Sequence, residues 1–197
     1  MRKGRFLAFD GPNGAGKSTV AAAVGRVLRK KGLRVHRTKE PTATELGNLI
    51  RRKETTYYGL SLAYLVAADR LWHVENEILP AVARGETVVC DRYVASSLAL
   101  QYLDGVSLKS VWELNCRCVV PSLNVVLLAS PRTLARRLSS RNRLSRFEST
   151  ISRAAEIAAY EKAADFLRGK GYNVHVVAND QSIDKVVTRV TDLLRLT

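Results

Sequence analysis

Gly11-Pro12-Asn13-Gly14-Ala15-Gly16-Lys17-Ser18 carries the spacing of a loop that cradles nucleotide phosphates: a glycine, four variable residues, then Gly-Lys-Ser. Glycines let the backbone turn tightly and aim its N–H groups at phosphate oxygens, and a helix starting at the loop adds the positive end of its dipole. Gly11, Pro12, Asn13, Gly14, Ala15, Gly16, Lys17, Ser18 and Thr19 are therefore the candidate ATP-binding residues. Lys17 is placed to reach the terminal phosphates and Ser18 to hold Mg²⁺. A second constellation is Asp91-Arg92-Tyr93, at the end of the apolar run Val88-Val89-Cys90. Asp91 is the candidate second support for Mg²⁺, and Arg92 suits bidentate capture of a phosphate. Asp69, His73 and Glu77 follow one another at helical i, i+4 spacing around Arg70. They read as a charge network on a helix face, because a third metal ligand is missing. Arg141, Arg143 and Arg146 fall within six positions of a polar segment. There they can close over a nucleotide and neutralise charge on a moving phosphoryl group.

These groups need a frame that brings them together, and the chain alternates short apolar runs with longer helical ones. Strands are predicted at 5–10, 33–38, 87–91, 123–129 and 172–177. Helices are predicted at 17–31, 44–53, 61–84, 107–116, 131–139, 150–168 and 183–196. Strands joined by helices make a parallel sheet covered on both faces. The expectation is an α/β fold with a doubly wound five-stranded parallel sheet, one domain over 1–197, and a lid at about 140–149. Ligands of such sheets bind at the carboxyl ends of the strands, here Asp10, Thr38, Asp91 and Ala129.

Composition limits the alternatives. Hydrophobic residues make up 46% and charged residues 25%, ordinary for a globular domain with a real core. No run approaches the roughly 20 apolar residues of a membrane span, and the short apolar run after Met1-Arg2-Lys3 reads as a first strand rather than a signal peptide. A cytoplasmic location with no membrane partner is expected. Cys90, Cys116 and Cys118 show no metal or disulfide spacing, and Cys90 reads as a buried thiol. The net charge of +14 suits polyphosphate substrates. The basic residues are dispersed and lack interleaved aromatics, so no nucleic-acid partner is expected. A nucleotide-binding protein that grips nucleic acid or another partner, with little kinase activity, remains the alternative. A GTPase is disfavoured because no Asn-Lys-x-Asp segment is present.

Taken in order, these segments resemble the thymidylate kinase family over nearly the whole chain. The resemblance rests on Phe9-Asp10-Gly11 with Gly14 to Thr19, Thr38-Lys39-Glu40-Pro41, Ala67-Ala68-Asp69-Arg70 with His73, Asp91-Arg92-Tyr93 with Ser96-Ser97 and Gln101, and Arg141 to Glu148. It implies a nucleoside monophosphate kinase using ATP and Mg²⁺, a homodimer, a nucleotide partner, and a cis peptide at Glu40–Pro41. Gly14 in place of an arginine is similar to the bacterial arrangement, with catalytic arginines in the lid. By resemblance, Lys17, Arg92, Arg141, Arg143 and Arg146 are catalytic. Asp10, Glu40, Val66, Arg70, Arg92, Tyr93, Ser97 and Leu100 face the acceptor, with Arg70 at the base edge. No general base is needed, because the acceptor phosphate has its second pKa near ~6 and is already a dianion at neutral pH. The enzyme must instead hold two polyanions in line and cancel their repulsion.

Departures from the family pattern gather where the acceptor is read. Val66 stands where the family usually has a phenylalanine that stacks on thymine. Leu100 replaces an aromatic near the sugar. A lost stack is worth roughly 1–3 kcal/mol. Two expectations follow: an acceptor choice shifted toward another or a modified pyrimidine deoxynucleotide, or an ordinary dTMP kinase whose pocket is refilled by neighbouring side chains.

Overall fold

The computed structural model describes residues 4–53, 55–139 and 146–194. Strands β1 (Arg5–Asp10), β2 (Val35–Lys39), β3 (Thr87–Asp91), β4 (Leu123–Leu128) and β5 (Val174–Ala178) form one sheet in the order β2-β3-β1-β4-β5. Every pairing is parallel. The register sets Phe9 opposite Asp91, so the loop that follows β1 and the carboxylate that ends β3 emerge side by side.

Alternation along the strands builds two cores. Phe6, Ala8, Val88, Cys90, Val126 and Val174 face one side of the sheet, and Leu7, Phe9, Val89, Val125, Leu127 and Val177 the other. Helices α1 (Lys17–Lys30) and α10 (Ile183–Leu193) cover the second side. Helices α5 (Val94–Leu103) and α9 (Arg153–Gly169) pack on the first, along with α6 (Leu108–Asn115). The remaining helices are α2 (Glu45–Arg52), α3 (Gly59–His73), α4 (Leu79–Ala83), α7 (Pro131–Leu138) and α8 (Arg146–Thr150). None of the helices described is long and apolar enough to cross a membrane.

The expected doubly wound sheet is present, with β2 and β5 starting two residues later than predicted and with larger differences among the helices. The helix predicted over 61–84 is interrupted by a π-helical turn, Val74–Ile78, so α3 and α4 are separate. Helix α5 lies where no helix was predicted. It is apolar on nearly every side, with Val94 to Ala99 and Gln101 all buried, and so shows no amphipathic period. Thr150 ends α8 instead of opening a helix, and α9 starts at Arg153, capped by the Ser152 hydroxyl, which accepts from the Ala155 N–H.

Candidate active site

The loop after β1 is held by contacts that only glycine allows. Gly11 has φ 141°, and a Cβ there would lie 2.1 Å from the Leu127 carbonyl oxygen. Gly16, at φ 86°, is the N-cap of α1. Lys17 turns back into the loop, donating to the Gly11 and Pro12 carbonyls at 2.8 Å each. Burial, with Arg92 as a second cause, pulls its ammonium down to about 7. Ser18 donates to Asp91 Oδ2 in a short hydrogen bond. The other oxygen, Asp91 Oδ1, is buried without a partner. A cavity of about 270 Å³ is lined here by Asn13, Gly14, Gly16, Lys17, Ser18, Thr19, Asp91 and Arg92.

A second cavity, of about 170 Å³, adjoins it. Asn13 and Arg92 line both. Arg92 is the one non-glycine residue among those described with positive φ, 76°. That conformation turns its guanidinium between the cavities, where it donates to Asn13 Oδ1 at 2.6 Å and to the Tyr160 hydroxyl at 3.2 Å. Glu40, Arg51, Arg70, Ser96, Ser97 and Gln101 add to the polar lining of the second cavity, and Pro41, Ile50, Leu62, Val66, Leu100 and Phe147 form an apolar wall.

Arg70 is buried and fully occupied. It donates to Glu40 at 2.8 Å, to Ser97 Oγ at 2.9 Å, to the Tyr93 carbonyl at 3.1 Å and, in a short contact, to Asn115 Oδ1. Its charge is balanced by Glu40, which also accepts from His73 Nδ1 at 3.0 Å. His73 and Glu77 do form a charge network, reaching His36 at 2.8 Å. Asp69 serves another purpose: it accepts from the Thr42 N–H and from the Thr42 and Thr44 hydroxyls, fixing the turn after the cis Glu40–Pro41 bond.

Several expected contacts lie elsewhere. Asp10 is fully enclosed. Its Oδ1 accepts from the backbone N–H groups of Tyr93 and Ser96 and from the Ser96 hydroxyl, and its Oδ2 from Asn124. It anchors the start of α5 to β1 behind the cavity wall. Tyr93 is likewise buried, its hydroxyl donating to the Val119 carbonyl and its ring 5.3 Å from the Arg70 guanidinium carbon. Arg146 is engaged away from the phosphate cavity, in a bidentate pair with Asp104 at 2.6 and 2.9 Å. Arg141 and Arg143 lie outside the described residues. Three lining residues carry weight that residue types alone did not reveal. Asn13 spans both cavities, Phe147 supplies the aromatic wall, and Gln101 has a buried Oε1 with no partner. Gln101 stood within the matched segment, but its orphaned oxygen needs the fold to be seen. Cys90 is a buried thiol, held protonated by burial.

The thymidylate kinase family model matches residues 9–190. The chain belongs to the thymidylate kinase family. It is an ATP-dependent phosphotransferase with the nucleoside monophosphate kinase fold of that family. It is 32% identical to a probable thymidylate kinase of Pyrococcus abyssi, over 98% of this chain and 97% of the relative. A probable thymidylate kinase of Caldivirga maquilingensis is 34% identical over 96% of this chain and 92% of its own. A thymidylate kinase of Caldicellulosiruptor saccharolyticus is 40% identical over 69% of this chain and 70% of its own.

Proposed function

We propose that this protein transfers the γ-phosphoryl group of ATP to dTMP, giving dTDP and ADP. The observation that carries the assignment is the pair of adjoining cavities sharing Asn13 and Arg92. The glycine-rich cavity suits the donor triphosphate. The second one, with an apolar wall and several polar lining groups, suits a pyrimidine nucleoside monophosphate. An acceptor phosphate at their junction meets Arg92, whose cation offsets the repulsion between the two polyanions. Lys17 sits at the donor phosphates, and the acceptor dianion attacks without a base. Ser18 and Asp91 make an all-oxygen donor pair with one carboxylate oxygen unsatisfied, which fits Mg²⁺. When bound, that ion supplies charge neutralisation at the donor phosphates. The resemblance assigns further neutralising charge to Arg141 and Arg143 of the lid.

Gln101 supports the choice of base. Its buried, unpaired carbonyl oxygen calls for an N–H donor, and thymine presents N3–H. The 5-methyl group then suits the wall of Ile50, Leu62 and Val66. Refilling of the pocket by neighbouring side chains fits this wall better than a changed acceptor. ATP-dependent ADP release with dTMP, dUMP, dCMP and UMP, with Lys17→Ala as the blank, tests the assignment. Turnover highest with dTMP supports it, and preference for another acceptor defeats it.

A homodimer is part of the proposal. Leu60, Tyr64 and Trp72 recur at helical spacing on the exposed side of α3, with Leu79 continuing the line, and they are between 43% and 58% exposed. An apolar stripe of this kind suits a self-complementary contact. Light scattering of Tyr64→Glu should show a monomer where the parent is a dimer.

A further inference from the structure

We propose that Phe147 is the aromatic contact for the acceptor base, and that Asp104, acting through Arg146, is its positioning residue. The inference rests on reading the second cavity as the acceptor site. Both positions at which the family pattern carries an aromatic, 66 and 100, are aliphatic here, and both line the cavity. Among the described residues Phe147 is the only aromatic that lines it. Its side chain comes from α8 and packs with Ile50 and Leu62, with Val66 and Leu100 against the same cluster. It is 7% exposed, so it belongs to the wall and not to the solvent face of α8.

Its placement is specific. The Arg146 guanidinium carbon sits 4.4 Å from the Phe147 ring centroid and is clamped by both oxygens of Asp104. Asp104 also accepts from the backbone N–H of Gly59, the first residue of α3. One carboxylate therefore ties together the start of the helix bearing Val66 and Arg70, the end of the helix bearing Leu100 and Gln101, and the short helix bearing Phe147. The aromatic surface absent at 66 and 100 is presented from a third helix in the same apolar wall, with a dedicated ion pair holding it there.

Steady-state kinetics with dTMP and ATP varied separately test this. Phe147→Leu should raise the KM for dTMP about tenfold or more, while the KM for ATP stays within about twofold. Phe147→Tyr should restore the parent dTMP value. Asp104→Asn should raise the dTMP KM several-fold with the ring retained, which a purely structural role for Asp104 would not confine to one substrate. If Phe147→Leu does not fold, Phe147→Met, closer in volume and still lacking a π-face, takes its place. An unchanged dTMP KM in Phe147→Leu or Phe147→Met overturns the contact, and an unchanged value in Asp104→Asn overturns the positioning role. A parent enzyme that phosphorylates no pyrimidine monophosphate overturns the acceptor reading beneath them, and is distinguishable because it requires no variant.

Discussion

Lys17 should take up a proton when the donor nucleotide binds. In the free enzyme its ammonium is buried and faces Arg92, which lowers its pKa from 10.5 to about 7. At pH 8, one unit above that value, roughly 90% of free sites hold neutral lysine. Triphosphate oxygens in the loop supply the opposing charge that the empty site lacks, so the bound lysine returns to the charged form. Binding at pH 8 should therefore take up about 0.9 proton per site, and affinity should fall up to ~tenfold per pH unit above pH 8. The phosphates titrate near ~6, so they add little to the count at that pH. Calorimetric titration with a non-hydrolysable ATP analogue, in buffers differing in ionisation enthalpy, measures the uptake directly. Lys17→Met should show none. Stability runs the opposite way with pH: the unfolded chain holds the extra proton between about pH 7 and 10.5, so this group's penalty on folding fades as pH rises through that window. No net uptake by the parent enzyme at pH 8 would refute the reasoning.

Other consequences concern the walls of the site. Arg70→Met leaves Glu40 charged and buried beside His73, and should cost about 3–5 kcal/mol in urea unfolding as well as activity. Gly11→Ala puts a Cβ against the Leu127 carbonyl and should cost about 1–3 kcal/mol or more by the same measurement. Arg92→Lys keeps a charge but loses the fork that reaches Asn13 and Tyr160 together, and kcat should fall by about 10²–10³. Asp91→Asn removes the charge of the proposed Mg²⁺ support, so the Mg²⁺ concentration for half-maximal rate should rise about tenfold or more.

The strands and the phosphate loop were legible because they depend on local pattern: a short apolar run, glycines at fixed spacing, then a helix. The loop's serine meets Asp91 where the register sets β1 beside β3, and Asp91 ends an apolar run visible in the chain. What was not legible follows from burial or from chain reversal. Helix α5 carries Ser97, Leu100 and Gln101, yet it is enclosed on most sides and so lacks a polar face. Helix α8 is five residues long, too short to show a period. Phe147 therefore stood in an arginine-rich segment with no sign that its ring turns inward. Asp10 and Tyr93 stand next to reactive residues in sequence, and only the fold shows that Asp10 holds the start of α5 and that both are buried. Arg146 resembles its arginine-rich neighbours in type, but its pairing with Asp104, forty-two residues away, needs the fold to be seen.

The most direct test of the account is competition. The enzyme is given ATP, Mg²⁺ and equal limiting amounts of dTMP, dUMP, dCMP and UMP, and the diphosphates formed are followed by mass spectrometry. The shared junction at Arg92, the orphaned Gln101 oxygen and the apolar wall predict that dTDP forms first and that dTMP is exhausted before the others. Earlier formation of another diphosphate would contradict the account.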